Sequence, residues 1–332
     1  MRIYKPTYYE QFRCLADQCP DSCCKEWEVE IDDVTAAQYR NLPGALGERL
    51  RSVMTDDPQW GTVMSIENGR CPMWQQNGLC RIQAELGHDA LCKTCRNFPR
   101  LRHDYGDFQE LGLELSCPEA ARLILSSSDC SFLSEDVSGG DAIEYDADAM
   151  AVLLHTRHEA IQILQSPKYT VVQSLRLLLY YGYQAQAILD GHDVAEFSAD
   201  TILQDGQNFA IPGGEHALLE FYANLEILTE DWKIRLTTPL SPGPWHPEYR
   251  NLAQYFVNRY WLQAVSDYDL ISRVKLTVVS CIMVHLLGGD FLQTAQAYSK
   301  EIENSQENVD AILDAAYTHP AFTDRMLLGL LT

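Results

Sequence analysis

Residues 14–24 are Cys-Leu-Ala-Asp-Gln-Cys-Pro-Asp-Ser-Cys-Cys, a stretch that places Cys14, Cys19, Cys23 and Cys24 close together. Ten of the eleven cysteines in the 332-residue chain lie at or before position 130. Thiolate sulfur is a soft ligand that binds zinc or iron–sulfur clusters in preference to calcium or magnesium. Crowding of this kind therefore predicts a metal centre that organises the first part of the fold.

Disulfide bonds are the alternative use of so many cysteines, and they require an oxidising compartment. The chain begins MRIYKPT over residues 1–7 and shows neither the apolar run nor the small-residue cleavage site of a secretory signal peptide. The cysteine count is odd, and a bond between the adjacent Cys23 and Cys24 would be strained. These features predict a cytoplasmic protein whose cysteines stay reduced.

The formal net charge is −22, from 25 basic and 47 acidic residues. Most of the imbalance falls in residues 131–332, which hold 27 of the acidic and 11 of the basic side chains. A field of this sign repels nucleic-acid phosphates and anionic lipids, so we expect neither nucleic acid nor membrane as a partner. The apolar segment from Leu276 to Leu287 is also shorter than the ~20 residues that span a bilayer. We expect a monomer.

Composition divides the chain at residues 129–145, a small, polar and acidic stretch that predicts a linker or a long surface loop. Residues 1–128 form the predicted cysteine-rich iron–sulfur or metal-binding domain, and residues 146–332 form a predicted acidic helical domain. In the second part, apolar residues recur at helical spacing. Helices are predicted at about 149–164, 171–179, 215–230, 248–266, 268–287, 290–303 and 307–317.

In the first part, proline and glycine interrupt short helical pieces. Short helices are predicted to begin near residues 32–39 and 81–87, and residues 27–31 alternate as in a strand. The predicted fold class is mainly α, with an irregular, cysteine-rich, metal-bound N-terminal region packed on a helical C-terminal region. The sequence contains no Gly-x-Gly-x2-Gly motif, so a Rossmann methyltransferase is not expected.

Nine cysteines are candidate metal ligands: Cys14, Cys19, Cys23, Cys24, Cys71, Cys80, Cys92, Cys95 and Cys117. Nine thiols exceed the four that a tetrahedral ion takes. A [4Fe–4S] cluster takes four thiolates, or three when a small molecule holds the remaining iron, so the set suits one cluster with spare thiols or two centres. Only Cys92 and Cys95 show the Cys-x2-Cys spacing common in zinc sites, and zinc is the alternative metal.

These cysteines occur in a series of separate motifs. In chain order the motifs are Cys19-x3-Cys23-Cys24-x2-Trp27, Cys71-Pro72, Gly78-Leu79-Cys80-Arg81-Ile82-Gln83, Leu91-Cys92-x2-Cys95, Phe98-Pro99-Arg100 and Leu115-Ser116-Cys117-Pro118. The series resembles the flagellin lysine N-methylase family, and it is similar to a broader group of small zinc- or iron-chelating domains with a Cys-Cys doublet. The resemblance covers about the first 125 residues.

The resemblance implies methyl transfer from S-adenosylmethionine to lysine side chains of flagellin, by an enzyme that carries a [4Fe–4S] cluster. It implies metal ligation by the candidate thiols, with Cys130 and Cys281 outside the set. Cys24 follows Cys23 directly, unlike the Cys-x3-Cys-x2-Cys run of radical S-adenosylmethionine enzymes. This departure argues against a conventional radical mechanism, although the sequence does not decide between radical and polar transfer.

Other side chains near the cysteine motifs are candidates for cofactor or substrate binding. Arg96 and Arg100 could bind the carboxylate of S-adenosylmethionine, or form structural ion pairs. The carboxylates that could accept a lysine proton are Asp32, Glu110 and Glu114. The aromatic residues that could form a cage around a methylated ammonium are Trp27, Trp74, Tyr105 and Phe108. His88 and His103 could replace a thiol as metal ligands. Each also has an ordinary explanation as a solvated or packed side chain.

Two other classes of function fit the same thiols. A non-enzymatic metal-binding or metal-delivery module would need no cofactor pocket, and a zinc-stabilised interaction protein would need no iron. Iron and sulfide content separates the zinc protein from the other two classes, and methyl transfer to flagellin separates an enzyme from a carrier.

Overall fold

Helices make up most of the regular structure. The computed structural model describes residues 1–24, 29–58, 61–129, 131–139, 144–204 and 211–331. The α-helices are α1 (Asp33–Asn41), α2 (Gly44–Val53), α3 (Arg81–Leu86), α4 (Lys93–Asn97), α5 (Pro118–Ser126), α6 (Ala147–Gln165), α7 (Val171–Leu189), α8 (Ala199–Gln204), α9 (Gly214–Ala223), α10 (Glu230–Thr237), α11 (Tyr249–Tyr260), α12 (Ile271–Leu287), α13 (Phe291–Ile302), α14 (Gln306–Thr318) and α15 (Asp324–Leu330). The prediction of a mainly α protein is confirmed.

Short strands form two small sheets in the N-terminal part. They are β1 (Arg2–Pro6), β2 (Val29–Ile31), β3 (Met54–Asp57), β4 (Gly61–Met64), β5 (Arg100–Asp104), β6 (Phe108–Leu113) and β7 (Phe132–Asp136). The larger sheet has the order β5-β6-β1-β7, with β1 parallel to β6 and antiparallel to β7. The smaller sheet is antiparallel and has the order β2-β4-β3.

Of these strands, the sequence predicted only β2, whose predicted extension to residues 27 and 28 lies outside the described residues. The other strands are short, and apart from the five-residue β5 their side chains show no regular alternation in exposure. Strand β7, for example, has five residues and none of them is buried. Periodicity is therefore too weak a signal to find such strands in a sequence.

Helix α12 lies at the centre of the C-terminal part and packs against α7, α11 and α14. Fifteen of its seventeen residues are buried, and Cys281 is a fully buried core residue, as predicted. Gly182 of α7 lets the two helices approach, because a Cβ there would lie 2.7 Å from Cγ1 of Val274. Among the described residues, no helix combines the length and apolarity needed to cross a lipid bilayer.

Most predicted helices of the C-terminal part are present, and two were wrong in their length. The helix predicted at 171–179 extends to Leu189 in α7. Residues 215–230 were predicted as a single helix, but α9 ends at Ala223 and α10 begins at Glu230. The hydroxyl of Thr229 accepts a hydrogen bond from the Trp232 amide at 3.0 Å. This N-cap satisfies a free amide at the start of α10 and so begins a second helix.

Two hydrophobic cores lie within the described residues. The smaller one includes Ile31, Leu50 and Met73 together with the buried Cys71 and Cys92. The larger one joins the C-terminal helices to residues of the N-terminal part, among them Tyr8, Phe12, Phe108, Leu113, Leu115, Ala120, Leu123 and Ile124. The N-terminal region is thus packed on the helical region.

Strand β7 lies inside residues 129–145, the stretch predicted as a linker or surface loop, and it pairs with all of β1. Cys130 and residues 140–143 lie outside the described residues. The division of the chain into domains at residues 1–128 and 146–332 stays a prediction.

A buried ion pair joins the larger sheet to α6. Nη1 and Nη2 of Arg157 donate to the two carboxylate oxygens of Glu110 at 2.7 and 2.6 Å, and both side chains are buried. We predict that Arg157→Met lowers the free energy of unfolding by about 3–5 kcal/mol, because Glu110 would be left as an uncompensated buried charge. Unfolding of the purified protein in denaturant measures this change.

The matched control is Asp136→Asn, which removes the exposed ion pair between Asp136 and Arg2 on the same sheet. Exposed pairs contribute little to stability, so this variant should unfold at the same denaturant concentration as the unchanged protein. Equal destabilisation by the two variants would contradict the importance assigned to the buried pair.

Candidate metal centre

A cavity of about 710 Å³ lies where the Cys14–Cys24 stretch meets α3, α4 and the start of α5. Lys300 and Asn304, at the end of α13, form a further part of its wall. Seven of the candidate thiols line the cavity: Cys14, Cys19, Cys23, Cys24, Cys80, Cys95 and Cys117. Segments that are far apart in the sequence therefore bring their cysteines to one place.

The two remaining candidate thiols are buried against thiols of the cavity wall. Cys24 lies within hydrogen-bonding reach of both Cys23 and Cys71 and can donate its one proton to either, and Cys95 donates to Cys92. These hydrogen bonds lower the pKa of Cys71 to about 7 and the pKa of Cys92 to about 7. They raise the pKa of the donating thiols, Cys24 and Cys95. All nine candidates thus lie in or against a single cavity.

Three of the thiols stand at the N-terminal ends of helices. Cys80, Cys92 and Cys117 immediately precede α3, α4 and α5, where the partial positive charge of a helix favours a thiolate. Burial acts against ionisation: it raises the pKa of Cys117 to about 12, and it also raises the pKa of Cys80. Metal ligands must be deprotonated, so a bound cation would offset this cost.

Basic side chains outnumber acidic ones in the cavity lining, although the protein as a whole is acidic. The charged residues of the lining are Arg13, Arg96, Arg100, Lys300, Asp21 and Glu119. Both acids are ion-paired, Glu119 with Arg122 at 2.7 Å and Asp21 with Lys300 at 3.2 Å. A lining of this charge suits an anionic occupant, such as a group held by thiolates or the carboxylate of a small molecule.

The predicted cofactor-binding residues Arg96 and Arg100 both line the cavity. Cζ of Arg100 lies 5.1 Å from the ring centroid of Phe12, a cation–π contact. Nη1 of Arg96 donates to the backbone oxygen of Asp89 at 3.4 Å. A guanidinium carries five N–H donors, so neither contact uses up the capacity of its side chain to bind a ligand.

The three carboxylates suggested as proton acceptors lie outside the cavity lining. Asp32 caps α1 by accepting from the Thr35 amide, and it also accepts from the Lys93 amide. Glu110 is held in the buried ion pair on the larger sheet. Glu114 is buried, and burial raises its pKa. The structure thus keeps all three groups out of the cavity lining, although the backbone oxygen of Glu114 accepts from the Cys117 amide at 3.3 Å.

The cavity also contains polar side chains that the sequence analysis did not single out. Asp21 lies within the cysteine stretch, and Glu119 follows Cys117 by two positions, so their closeness to the thiols was a usable signal. Lys300 and Asn304 gave no such signal, because they lie in the helical part of the chain, far from any candidate ligand in sequence.

The described members of the proposed aromatic cage do not meet at this cavity. Trp27 lies outside the described residues. The guanidinium of Arg70 lies 4.1 Å from the ring centroid of Trp74, which is therefore already in a cation–π contact. The rings of Tyr105 and Phe108 stack on each other at 4.7 Å. Of the four aromatic candidates, the three that the structure describes are all absent from the cavity lining.

The two candidate histidines differ in position. His88 lines the cavity and is exposed. His103 lies on β5 outside the lining, and burial lowers its pKa. Of the two, only His88 has access to the space that the thiols surround.

Within the described ranges, no three or more His, Cys, Asp and Glu side chains are grouped so as to hold a metal ion. The thiols occur instead as one contacting group of three (Cys23, Cys24 and Cys71), one contacting pair (Cys92 and Cys95) and single residues around an open space. Metal ligation by the nine thiols therefore stays a prediction.

Comparison with known proteins gives three similar sequences, all from Salmonella. The chain is 32% identical over 139 residues to a lysine-N-methylase of Salmonella typhimurium, and 32% identical over 142 residues to a lysine-N-methylase of Salmonella choleraesuis. Each match covers 40% of this chain and 35% of the relative. The chain is also 32% identical over 145 residues to the flagellar biosynthetic protein FliU of Salmonella muenchen.

The match to FliU covers 41% of this chain and 84% of that protein. The chain thus spans about a third of the length of the two lysine-N-methylases and most of the length of FliU. No protein-family model matches the chain. No solved structure matches it either.

Alkylation should distinguish the cavity thiols from the core thiol. Cys14 and Cys23 are exposed, and a hydrogen bond from Cys24 lowers the pKa of Cys23, whereas Cys281 is fully buried. We predict that iodoacetamide modifies Cys14 and Cys23 of the folded, chelator-treated protein well before Cys281, which should react only on unfolding. Mass spectrometry of proteolytic peptides measures the order. Modification of Cys281 as early as Cys14 would contradict the burial of Cys281 in the core.

Proposed function

Because the chain belongs to the flagellin lysine N-methylase family, we propose that it transfers methyl groups from S-adenosylmethionine to lysine side chains of flagellin. The observation that carries this proposal is the cavity of about 710 Å³ in which seven thiols and four basic side chains meet. Ligand sites in proteins commonly enclose ~300–1,000 Å³, so the cavity has room for a cofactor and a substrate side chain. We place the reaction in the cytoplasm, before or during export of flagellin.

An iron–sulfur cluster suits the chemistry of this donor set. A [4Fe–4S] cluster takes one thiolate for each iron, so its ligands surround a volume. Thiols that surround an open space in small groups and singly fit this requirement better than they fit one tetrahedral zinc ion. We propose that four or fewer of the nine thiols hold the cluster. When bound, it would supply an iron that can take the amino-acid end of the methyl donor.

The basic residues of the lining support binding of the donor's carboxylate. Arg96 and Arg100 approach the cavity from the segment that follows Cys95. A guanidinium binds a carboxylate through two parallel hydrogen bonds, which fix its orientation as well as its position. Apolar residues of the same cavity, including Leu79 and Phe98, would pack against the adenosyl group.

We propose a polar displacement as the chemical step. The lone pair of lysine Nζ forms the new bond to the methyl carbon while the bond from that carbon to the sulfonium sulfur breaks. The electron pair returns to sulfur, S-adenosylhomocysteine leaves, and the methylated nitrogen loses its proton to water. The nucleophile must be neutral, and both desolvation and nearby cations lower the pKa of a lysine. A basic, enclosed lining therefore favours the reactive form and aligns it with the donor.

The decisive experiment measures the cofactor and the reaction on the same preparation. We predict that protein purified without oxygen contains iron and acid-labile sulfide, and that it transfers label from S-adenosylmethionine to lysines of purified flagellin. Iron and sulfide without transfer would favour a metal carrier. Zinc without iron or transfer would favour an interaction protein. Either result would contradict the proposed enzyme.

Arginine variants test the position of the methyl donor. We predict that Arg96→Met and Arg100→Met each raise KM for S-adenosylmethionine by roughly 10- to 100-fold, because each removes a charged hydrogen bond to the carboxylate. The matched control is Arg102→Met, which removes an exposed arginine of β5 that does not line the cavity. Iron content should stay constant in all three variants. An equal KM in the variants and the control would contradict carboxylate binding by these arginines.

A further inference from the structure

Helix α13 contacts two cysteine-bearing segments through one polar face. Nε2 of Gln296 and Nζ of Lys300 both donate to Oδ2 of Asp21, each at 3.2 Å. Nε2 of Gln296 also donates to the backbone oxygen of Ser116 at 2.6 Å. Because Gln296 and Lys300 are one helical turn apart, they lie on the same side of α13.

Both contacted residues adjoin candidate metal ligands. Asp21 lies between Cys19 and Cys23, and Ser116 immediately precedes Cys117. The thiols of these three cysteines all line the cavity. The contacts of α13 thus fix two cysteine segments relative to each other, although the segments are far apart in the sequence.

Burial makes these contacts hard to replace. Lys300 is 8% exposed and Gln296 is 9% exposed. A buried ammonium is unfavourable unless it is paired and hydrogen-bonded. Loss of either partner of the ion pair between Lys300 and Asp21 would therefore force this wall of the cavity to rearrange.

The cysteine stretch has little regular structure that could hold its own thiols in place. Its only regular element among residues 14–24, all of which the structure describes, is the short 3₁₀ turn Ala16–Gln18. Helix α13 has twelve residues and is anchored in the larger core. Side chains on a packed helix are held more precisely than side chains on a loop, so α13 can act as a rigid support for this stretch.

We propose that Lys300 and Gln296 are positioning residues of the metal centre. Through Asp21 and Ser116, they hold Cys19, Cys23 and Cys117 in place around the bound group. They act by orienting the ligand-bearing segments and not by contact with the reacting atoms. The identity of the bound group rests on the proposed function, whereas the effect on the thiols does not.

The test uses Lys300→Met, which removes the charge and keeps a long side chain. It is carried out on protein purified without oxygen and measures two rates: iron release to bathophenanthroline, and modification of Cys19, Cys23 and Cys117 by N-ethylmaleimide. Loss of residues that orient metal ligands commonly lowers metal affinity 10- to 100-fold, so we expect iron release to be faster by about tenfold or more. We expect modification of the three thiols to be faster as well.

Two lysine variants serve as controls. Lys300→Arg keeps the positive charge and should restore slow iron release. Lys233→Met removes a lysine whose side chain is 61% exposed on α10, and both of its rates should match those of the unchanged protein. Gln296→Met removes one donor and leaves the ion pair, so it should give an intermediate effect and provides a second test if Lys300→Met does not fold. Circular dichroism verifies the fold of each variant.

Unchanged thiol modification in folded Lys300→Met and Gln296→Met would overturn the proposal. If the unchanged protein holds no iron and does not methylate flagellin, the proposed function fails, while faster modification of Cys19, Cys23 and Cys117 in the variants would still support positioning. Lower methyl transfer with both rates unchanged would assign Lys300 to substrate contact and would also overturn the proposal.

Discussion

The meeting of thiols from separate segments is the constraint on which the rest of this structure depends. Cys24 of the first stretch contacts Cys71, and all four cysteines of that stretch share a cavity with Cys80, Cys95 and Cys117. Burial raises the pKa of Cys80 and Cys117, and the hydrogen bond to Cys92 raises the pKa of Cys95. A buried group of thiolates would be unfavourable without a cation, so the arrangement makes chemical sense around a metal. Under the proposed function, metal–thiolate bonds would therefore add to the small apolar core in stabilising the irregular N-terminal region.

The helical part of the protein contacts the N-terminal region through both apolar and polar side chains. Its core takes in aromatic and aliphatic residues of the N-terminal part, so the two parts share apolar contacts. Helix α13 carries the polar face that reaches Asp21 and Ser116 beside the thiols. The cavity is therefore composite: the first part of the chain supplies its thiols, and the second part supplies Lys300 and Asn304 of its wall.

Charge is distributed unevenly between the surface and the site. The whole chain has a net charge of −22, yet four basic side chains line the cavity against two acids that are already ion-paired. The acidic exterior attracts lysine-bearing surfaces, and the basic interior favours carboxylates and the neutral form of an amine. The proposed reaction would use both fields, the outer one to attract a lysine and the inner one to hold the methyl donor and the neutral amine. The net charge of the chain therefore does not indicate the charge of the cavity lining.

The sequence by itself determined the mainly α class, the helical periodicity of the second part, the core position of Cys281 and the list of candidate thiols, because residue type and spacing are local properties. It also suggested Arg96 and Arg100, which lie next to Cys95 in the chain and line the same cavity. Only the tertiary structure decided which side chains share the site. Asp32, Glu110 and Glu114 are near the cysteines in sequence, but they do not line the cavity. Asp32 caps a helix, Glu110 forms an ion pair with Arg157, and Glu114 is buried. Lys300 is remote in sequence and reaches the cavity because α13 packs there, a long-range contact that no local pattern encodes.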